Sequence, residues 1–217
     1  MPYVVDNDWW IAKARGTDRV AVRRRWKVPE NANVVLFCAK LQPWKRPADV
    51  LRAFYRAEIR NSYLVFAGEG PLRKELEQEA SQLGIFEKVR FLGFVNQSGL
   101  PDVYVSSDVM VLPSEYEPFG LVVNEAMLCG CGVIVSDHVG ARFDLIKDGQ
   151  TGCVYPCGNT DALSRCLQEL LSDPGVLSRQ REAAMQSIGQ WSPEAYIRSF
   201  VEAVRRERDA QATAVLV

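Results

Sequence analysis

Two carboxylates, Glu117 and Glu125, stand eight residues apart in the stretch Glu117-Pro-Phe-Gly-Leu-Val-Val-Asn-Glu125, with a Phe119-Gly120 step between them. The apolar run Val109 to Leu112 lies just upstream and reads as a buried strand, so Glu117 falls on the loop that leaves it. Gly120 allows a ligand close to the backbone, and Glu125 falls about two turns into the helix that follows. Free amide groups, the positive end of a helix dipole and two hydrogen-bond acceptors then surround one small volume. A phosphate joined to a polyhydroxylated group suits that volume, and a nucleotide-sugar is the natural candidate.

Two further groups join it. Lys40 and Lys45 follow the apolar run Val34 to Ala39 and supply two positive charges for a diphosphate, replacing a metal ion. Gly68 and Gly70 follow the run Tyr63 to Ala67 and allow a phosphate close to the chain. Each group has a plainer reading by itself: solvated lysines, a tight turn (the third fingerprint position is Arg73, not Gly), and a Glu117 that offsets a helix dipole. Glu125 is harder to dismiss, because a carboxylate inside the apolar run Leu121 to Leu128 needs a partner or a ligand. All three groups fall at the carboxyl ends of strands, where open α/β sheets bind ligands.

Other groups that could do chemistry read as structural. Asp6-Asn7-Asp8 has the form of a metal-holding pair but lies outside the sheet. His138 is the single histidine and has no triad around it. Cys129-Gly-Cys131 and Cys153-x₃-Cys157 lack the Cys-x₂-Cys spacing common in zinc sites. The basic run Arg23 to Lys27 with Trp26 reads as a solvated helix face, not a nucleic-acid contact, because Lys and Arg (26) nearly balance Asp and Glu (27).

The elements that must position these residues alternate. Strands over Val34–Ala39, Tyr63–Ala67, Val89–Leu92, Val109–Leu112 and Val133–Val135 are separated by helices over Pro47–Arg60, Leu72–Leu83, Leu100–Ser106 and a segment through Glu125 to about Leu128, and the chain from Thr160 onward is mostly helical. That rhythm predicts right-handed βαβ units and a Rossmann-like parallel sheet with helices on both faces. Residues 1–32 do not join it and read as a connecting segment, so the sheet domain spans 33–217. At 217 residues the chain suffices for one such domain. No apolar run approaches the roughly 20 residues that cross a bilayer. Six cysteines without a small-domain framework point to reduced thiols in a cytoplasmic protein.

These residues together resemble the C-terminal, donor-binding domain of GT-B-fold retaining glycosyltransferases of family 4, the group 1 type, over nearly the whole chain. The likeness rests on Ala39-Lys-Leu-Gln-Pro-Trp-Lys45, Phe66-Ala-Gly-Glu-Gly-Pro71, Val89-Arg-Phe-Leu-Gly-Phe-Val95, Ser107 to Ser114 with Glu117-x-Phe-Gly-x₄-Glu125-Ala-Met, and Gly149 to Pro156. The resemblance implies that Lys40 (where the family usually has Arg) and Lys45 contact the diphosphate of a UDP-, GDP- or ADP-sugar and stabilise the departing charge. Glu117 would bind sugar hydroxyls. Backbone amides at Phe119, Gly120, Leu121 and Val122, with Gly68 and Gly70, would line the donor, Glu125 would take the ribose hydroxyls, and Phe94 and Val95 would border the base. It implies retention of anomeric configuration, no metal or other cofactor, and no nucleic-acid partner.

The chain departs from the family at Lys40, at Trp44 and Arg46 beside Lys45, and at Val139-Gly140-Ala141 in place of a Gly-Gly pair. Pro2 to Asn7 resembles the interdomain segment. The chain therefore reads as half an enzyme, inactive without an N-terminal Rossmann-like domain, against which its N-terminal tryptophans would rest and through which any membrane contact would run. Competing readings are a free-standing nucleotide-binding scaffold, an NAD-dependent oxidoreductase and a nucleotide-sugar epimerase or phosphorylase. The oxidoreductase predicts Gly-x-Gly-x-x-Gly after the first strand, where Lys40-Leu-Gln-Pro-Trp-Lys45 stands instead.

Overall fold

Residues 3–214 are described by the computed structural model, with side-chain surroundings through Arg206; Pro2 of the expected interdomain segment lies outside them. The chain opens with two short helices, Asn7–Arg15 (α1) and Arg19–Arg25 (α2). Six strands follow: Asn33–Cys38 (β1), Ser62–Ala67 (β2), Val89–Gly93 (β3), Val109–Leu112 (β4), Gly132–Ser136 (β5) and Cys153–Tyr155 (β6). Helices Pro47–Ala57 (α3), Arg73–Gln82 (α4), Leu100–Val105 (α5), Leu121–Leu128 (α6) and Arg142–Leu145 (α7) connect them in turn. Thr160–Ser172 (α8), Pro174–Ile188 (α9) and Pro193–Ala214 (α10) complete the chain.

All six strands pair in parallel, in the order β3-β2-β1-β4-β5-β6. The central strands are continuous apolar runs because both faces are covered. From β1, Val34, Leu36 and Cys38 point to one face and pack with Met110, Val123 and Met127, under α1, α5 and α6. Val35 and Phe37 point to the other face and pack with Val50, Leu51, Phe54, Leu76 and Leu163, under α3, α4 and α8. Pro47 opens α3 at a position needing no N–H, and Asn159 caps α8 by accepting from Ala162 N at 2.9 Å.

The N-terminal segment corrects two expectations in part, at Trp10 and at Arg23, while Arg24, Arg25 and Lys27 are exposed as expected. Trp10 is 1% exposed and packs on Tyr104, so that ring is already covered within this chain, while Trp9 and Trp26 lie half-buried against the same cluster. Arg23 is not on a solvated face. It is 1% exposed, pairs with Asp108 at 2.7 Å and donates to the carbonyls of Ser106, Glu30 and Ala32. A short α2 cannot give an arginine both a solvent face and this pocket, and the buried carboxylate wins. The strand β6 was not anticipated, because three residues beside a proline carry no period. Helix α3 ends at Ala57, where Glu58 turns left-handed (φ 48°), three residues before the expected Arg60.

Candidate functional site

In this strand order β1 lies between β2 and β4. The chain leaves β1 toward one edge and later returns to build the other half of the sheet, which opens a crevice over the carboxyl ends of the central strands. A cleft of about 580 Å³ sits there. Ala39, Lys40 and Gln42 line it from the loop after β1, Gly68, Glu69 and Gly70 from the loop after β2, Phe94 and Val95 from the end of β3, and Val122 from the first turn of α6. The topology thus gathers Lys40, Gly68, Gly70, Phe94, Val95 and Val122 from distant parts of the sequence.

The glycines shape the wall. A Cβ on Gly68 would lie 1.9 Å from the Ala39 carbonyl oxygen, and one on Gly70 would lie 2.4 Å from that of Leu41. The close approach they allow is therefore of one loop to the other, sealed by Leu41 N–H donating to Glu69 O at 2.9 Å. Gly120 starts α6 with φ 103°, and no side chain caps the first turn. Amides at Leu121 and Val122 are thereby left for an external acceptor, the arrangement that favours an anion. The Phe119 ring is 8% exposed, under Tyr3, so only its backbone faces outward chemistry.

Lys45 and Glu117 come together. Lys45 Nζ donates to Glu117 Oε2 at 2.5 Å, with both side chains largely buried, and Glu115 N–H donates to Trp44 O at 2.8 Å beside them. The loop after β1 is thereby fastened to the loop after β4, while Lys40 stays exposed at the cleft. Arg46, next to Lys45, holds a left-handed backbone (φ 51°) that glycine adopts more readily, and its guanidinium is anchored by Asp49 at 2.6 Å. Gly140 cannot change: a Cβ there would meet the Pro118 carbonyl oxygen at 2.0 Å.

Glu125 is the fifth residue of α6, and Oε2 accepts from the Tyr104 hydroxyl at 2.8 Å. Burial pushes its carboxyl up to about 7, and the tyrosine bond offsets part of that rise. The partner its sequence context demands is thus a neutral donor, which leaves one carboxylate oxygen and much of the charge for something else.

Lys45, Glu117, Phe119, Gly120, Leu121 and Glu125 are not among the residues that line the cleft, and neither are the other groups that the sequence singled out. Asp6 caps α1 by accepting from Trp9 N at 2.9 Å. His138 Nδ1 lies 2.9 Å from the Glu115 carbonyl. Cys129 and Cys131 are buried, and Cys153 faces Cys166 on α8, not Cys157. Among the described residues no three His, Cys, Asp or Glu side chains gather as a metal site, and no helix is long and apolar enough to cross a membrane. Sequence reasoning assigned no part to Gln42, which only its place after a strand signalled, or to Tyr104, whose one clue is that a buried phenol needs a partner.

Residues 18–212 match the family model described as "Glycosyl transferases group 1". An uncharacterized glycosyltransferase of Methanocaldococcus jannaschii is 41% identical over 160 residues, 73% of this chain and 40% of that protein. Among solved structures, Anabaena Alr3699/HepE in complex with UDP-glucose superposes with a TM-score of 0.77 at 25% identity, covering 87% of this chain and 52% of that one. The C-terminal domain of the Francisella tularensis group 1 protein LpcC gives 0.72 at 24% identity, covering 80% of this chain and 92% of that one, a likeness of fold. The sheet, its flanking helices and this match define a GT-B-type α/β domain. The chain belongs to the glycosyl transferases group 1 family, and it spans about half or less of the length of those full-length relatives.

Proposed function

We propose that this chain is the donor-binding half of a family 4 retaining glycosyltransferase, taking a hexose-type sugar from a nucleoside diphosphate. The observation that carries the reading is the crevice at the strand switch point, lined by Lys40, Gly68, Gly70 and Val122 of an uncapped helix N-terminus, with the Lys45–Glu117 pair fastening the adjoining loops and Glu125 one helical turn further along α6. UDP is the favoured nucleotide, supported by the UDP-glucose complex of a protein of the same fold. Lys40 and Lys45 neutralise the diphosphate and its departing charge, so no metal is needed. An arriving phosphate competes with Glu117 for Lys45, and Glu117 released from that pair accepts from sugar hydroxyls. Phe94, 74% exposed, offers a face to the base, and backbone amides from Phe119 to Val122 hold phosphate and sugar.

Residues 1–32, packed on the sheet domain through α1 and α2, form the interdomain segment, and an N-terminal Rossmann-like body supplies the acceptor site, the other wall of the cleft and any membrane contact. The isolated chain then binds nucleotide without transferring sugar, in the cytoplasm, where its thiols stay reduced. Calorimetric titration with UDP, GDP and ADP, without divalent metal, tests this. One nucleotide binds, and Glu125→Ala lowers its affinity at least tenfold, about the worth of a charge-assisted hydrogen bond. Equal binding by the variant removes Glu125 from the site, and a requirement for added metal removes the lysines' proposed part.

A further inference from the structure

Tyr104 is a polar side chain that the proposed function leaves unused. It is fully buried on α5, and its single hydroxyl hydrogen has the Glu125 carboxylate as its strongest acceptor, at 2.8 Å. The Cys38 sulfur lies 3.5 Å from the same oxygen, at the end of β1 and in the cleft wall. Trp10 of α1 fixes the ring from behind, with centroids 5.9 Å apart. The phenol is thus held by three elements and aimed at one carboxylate.

We propose that Tyr104 is a positioning residue for donor binding: it holds Glu125 in one orientation and favours its charged form, so that the free oxygen meets the ribose hydroxyls of the nucleotide. This rests on the reading of Glu125 as the ribose acceptor. An ionised carboxylate is the better acceptor for two hydroxyls, yet burial alone favours the neutral acid. The titratable groups facing Glu125 are Tyr104 from α5, Cys38 from β1 and Cys129 one turn along α6, and burial raises all three, Cys38 to about 11. All three stay neutral near pH 7, and no lysine or arginine among the described residues pairs with Glu125. Only the Tyr104 hydroxyl then lowers the Glu125 carboxyl, which otherwise rises above its value of about 7.

The test compares wild type, Tyr104→Phe and Glu125→Ala. The Glu125 side-chain carbon is titrated by NMR in the unliganded protein, and UDP affinity is measured across the same pH range. In Tyr104→Phe the carboxyl midpoint moves up by about one unit. UDP affinity falls about fivefold near pH 7, where the ionised fraction drops most, and recovers most of that loss by about pH 9, the remainder reporting lost orientation. An unchanged midpoint, or an affinity loss equal at every pH, overturns the proposal, because packing alone predicts those results. A shifted midpoint beside full UDP affinity in Glu125→Ala leaves the tyrosine coupling standing and sinks the ribose reading instead. Wild type gives a reading that needs no substitution: the Tyr104 hydroxyl proton resonance follows the Glu125 titration, and its indifference to that titration overturns the coupling.

Discussion

Glu125 places function against stability at a single atom group. Burial pushes its carboxyl up to about 7 in the fold, against about 4.3 in an unfolded chain. A raised carboxyl stabilises the fold fully below the unfolded value, and that contribution is lost as pH rises through the folded one. Glu125→Gln keeps an oxygen for Tyr104 and cannot ionise. It therefore gains on the order of 1–3 kcal/mol over wild type at pH 8 while weakening nucleotide binding, and the gain vanishes below about pH 4. Denaturant unfolding of the two proteins at both pH values checks this; equal stability at pH 8 contradicts it. The need for a partner at Glu125 was legible from a carboxylate set among leucines and valines. Its identity was not, because Tyr104 lies 21 residues away on a six-residue helix with no spacing to announce it.

At the scale of elements, Asp108 ties the N-terminal segment to the sheet. Sitting just before β4, it accepts from Val34 N at 2.7 Å and pairs with Arg19 and Arg23 of α2 at 2.7 Å each, with Arg181 of α9 at 3.7 Å. Burial alone would raise this carboxyl, but the three arginines together hold it below the usual range. Asp108→Asn leaves Arg23 buried without a counter-charge and costs about 3–5 kcal/mol, lowering the melting temperature. The stability that Asp108 contributes is present above about pH 4 and is lost as pH falls through its lower folded value, so the gap between the two proteins closes in acid. A gap that persists at the lowest pH at which both fold refutes the charge argument. The strands and their connecting helices were legible because two-sided burial writes continuous apolar runs. Helix α2's role was hidden by the 85 residues between Arg23 and its partner, which made a basic run look like an ordinary wet surface.

At the scale of the molecule, the last helix leaves an apolar stripe uncovered among the described residues. Along α10, Tyr196, Ile197, Phe200, Val201 and Val204 recur at helical spacing, and all five are exposed, from 39% to 60%. A patch of that kind marks a surface that another body covers, and the chain spans only 40% of its Methanocaldococcus relative. The cleft is lined by the loops after β1, β2 and β3 and by Leu100 of α5 and Val122 of α6, with none of its lining from α10, so covering that helix and the proposed nucleotide binding are separable. Purified alone, the chain self-associates as its concentration rises, driven by burial of these side chains at about 25 cal/mol for each Å² removed from water. The double substitution Ile197→Lys with Phe200→Lys abolishes that association in sedimentation velocity and leaves UDP affinity within about twofold of wild type. Association that survives the substitution places the contact elsewhere on the surface. A fall in UDP affinity instead shows that α10 reaches the donor cleft, and the helix then belongs to the site itself.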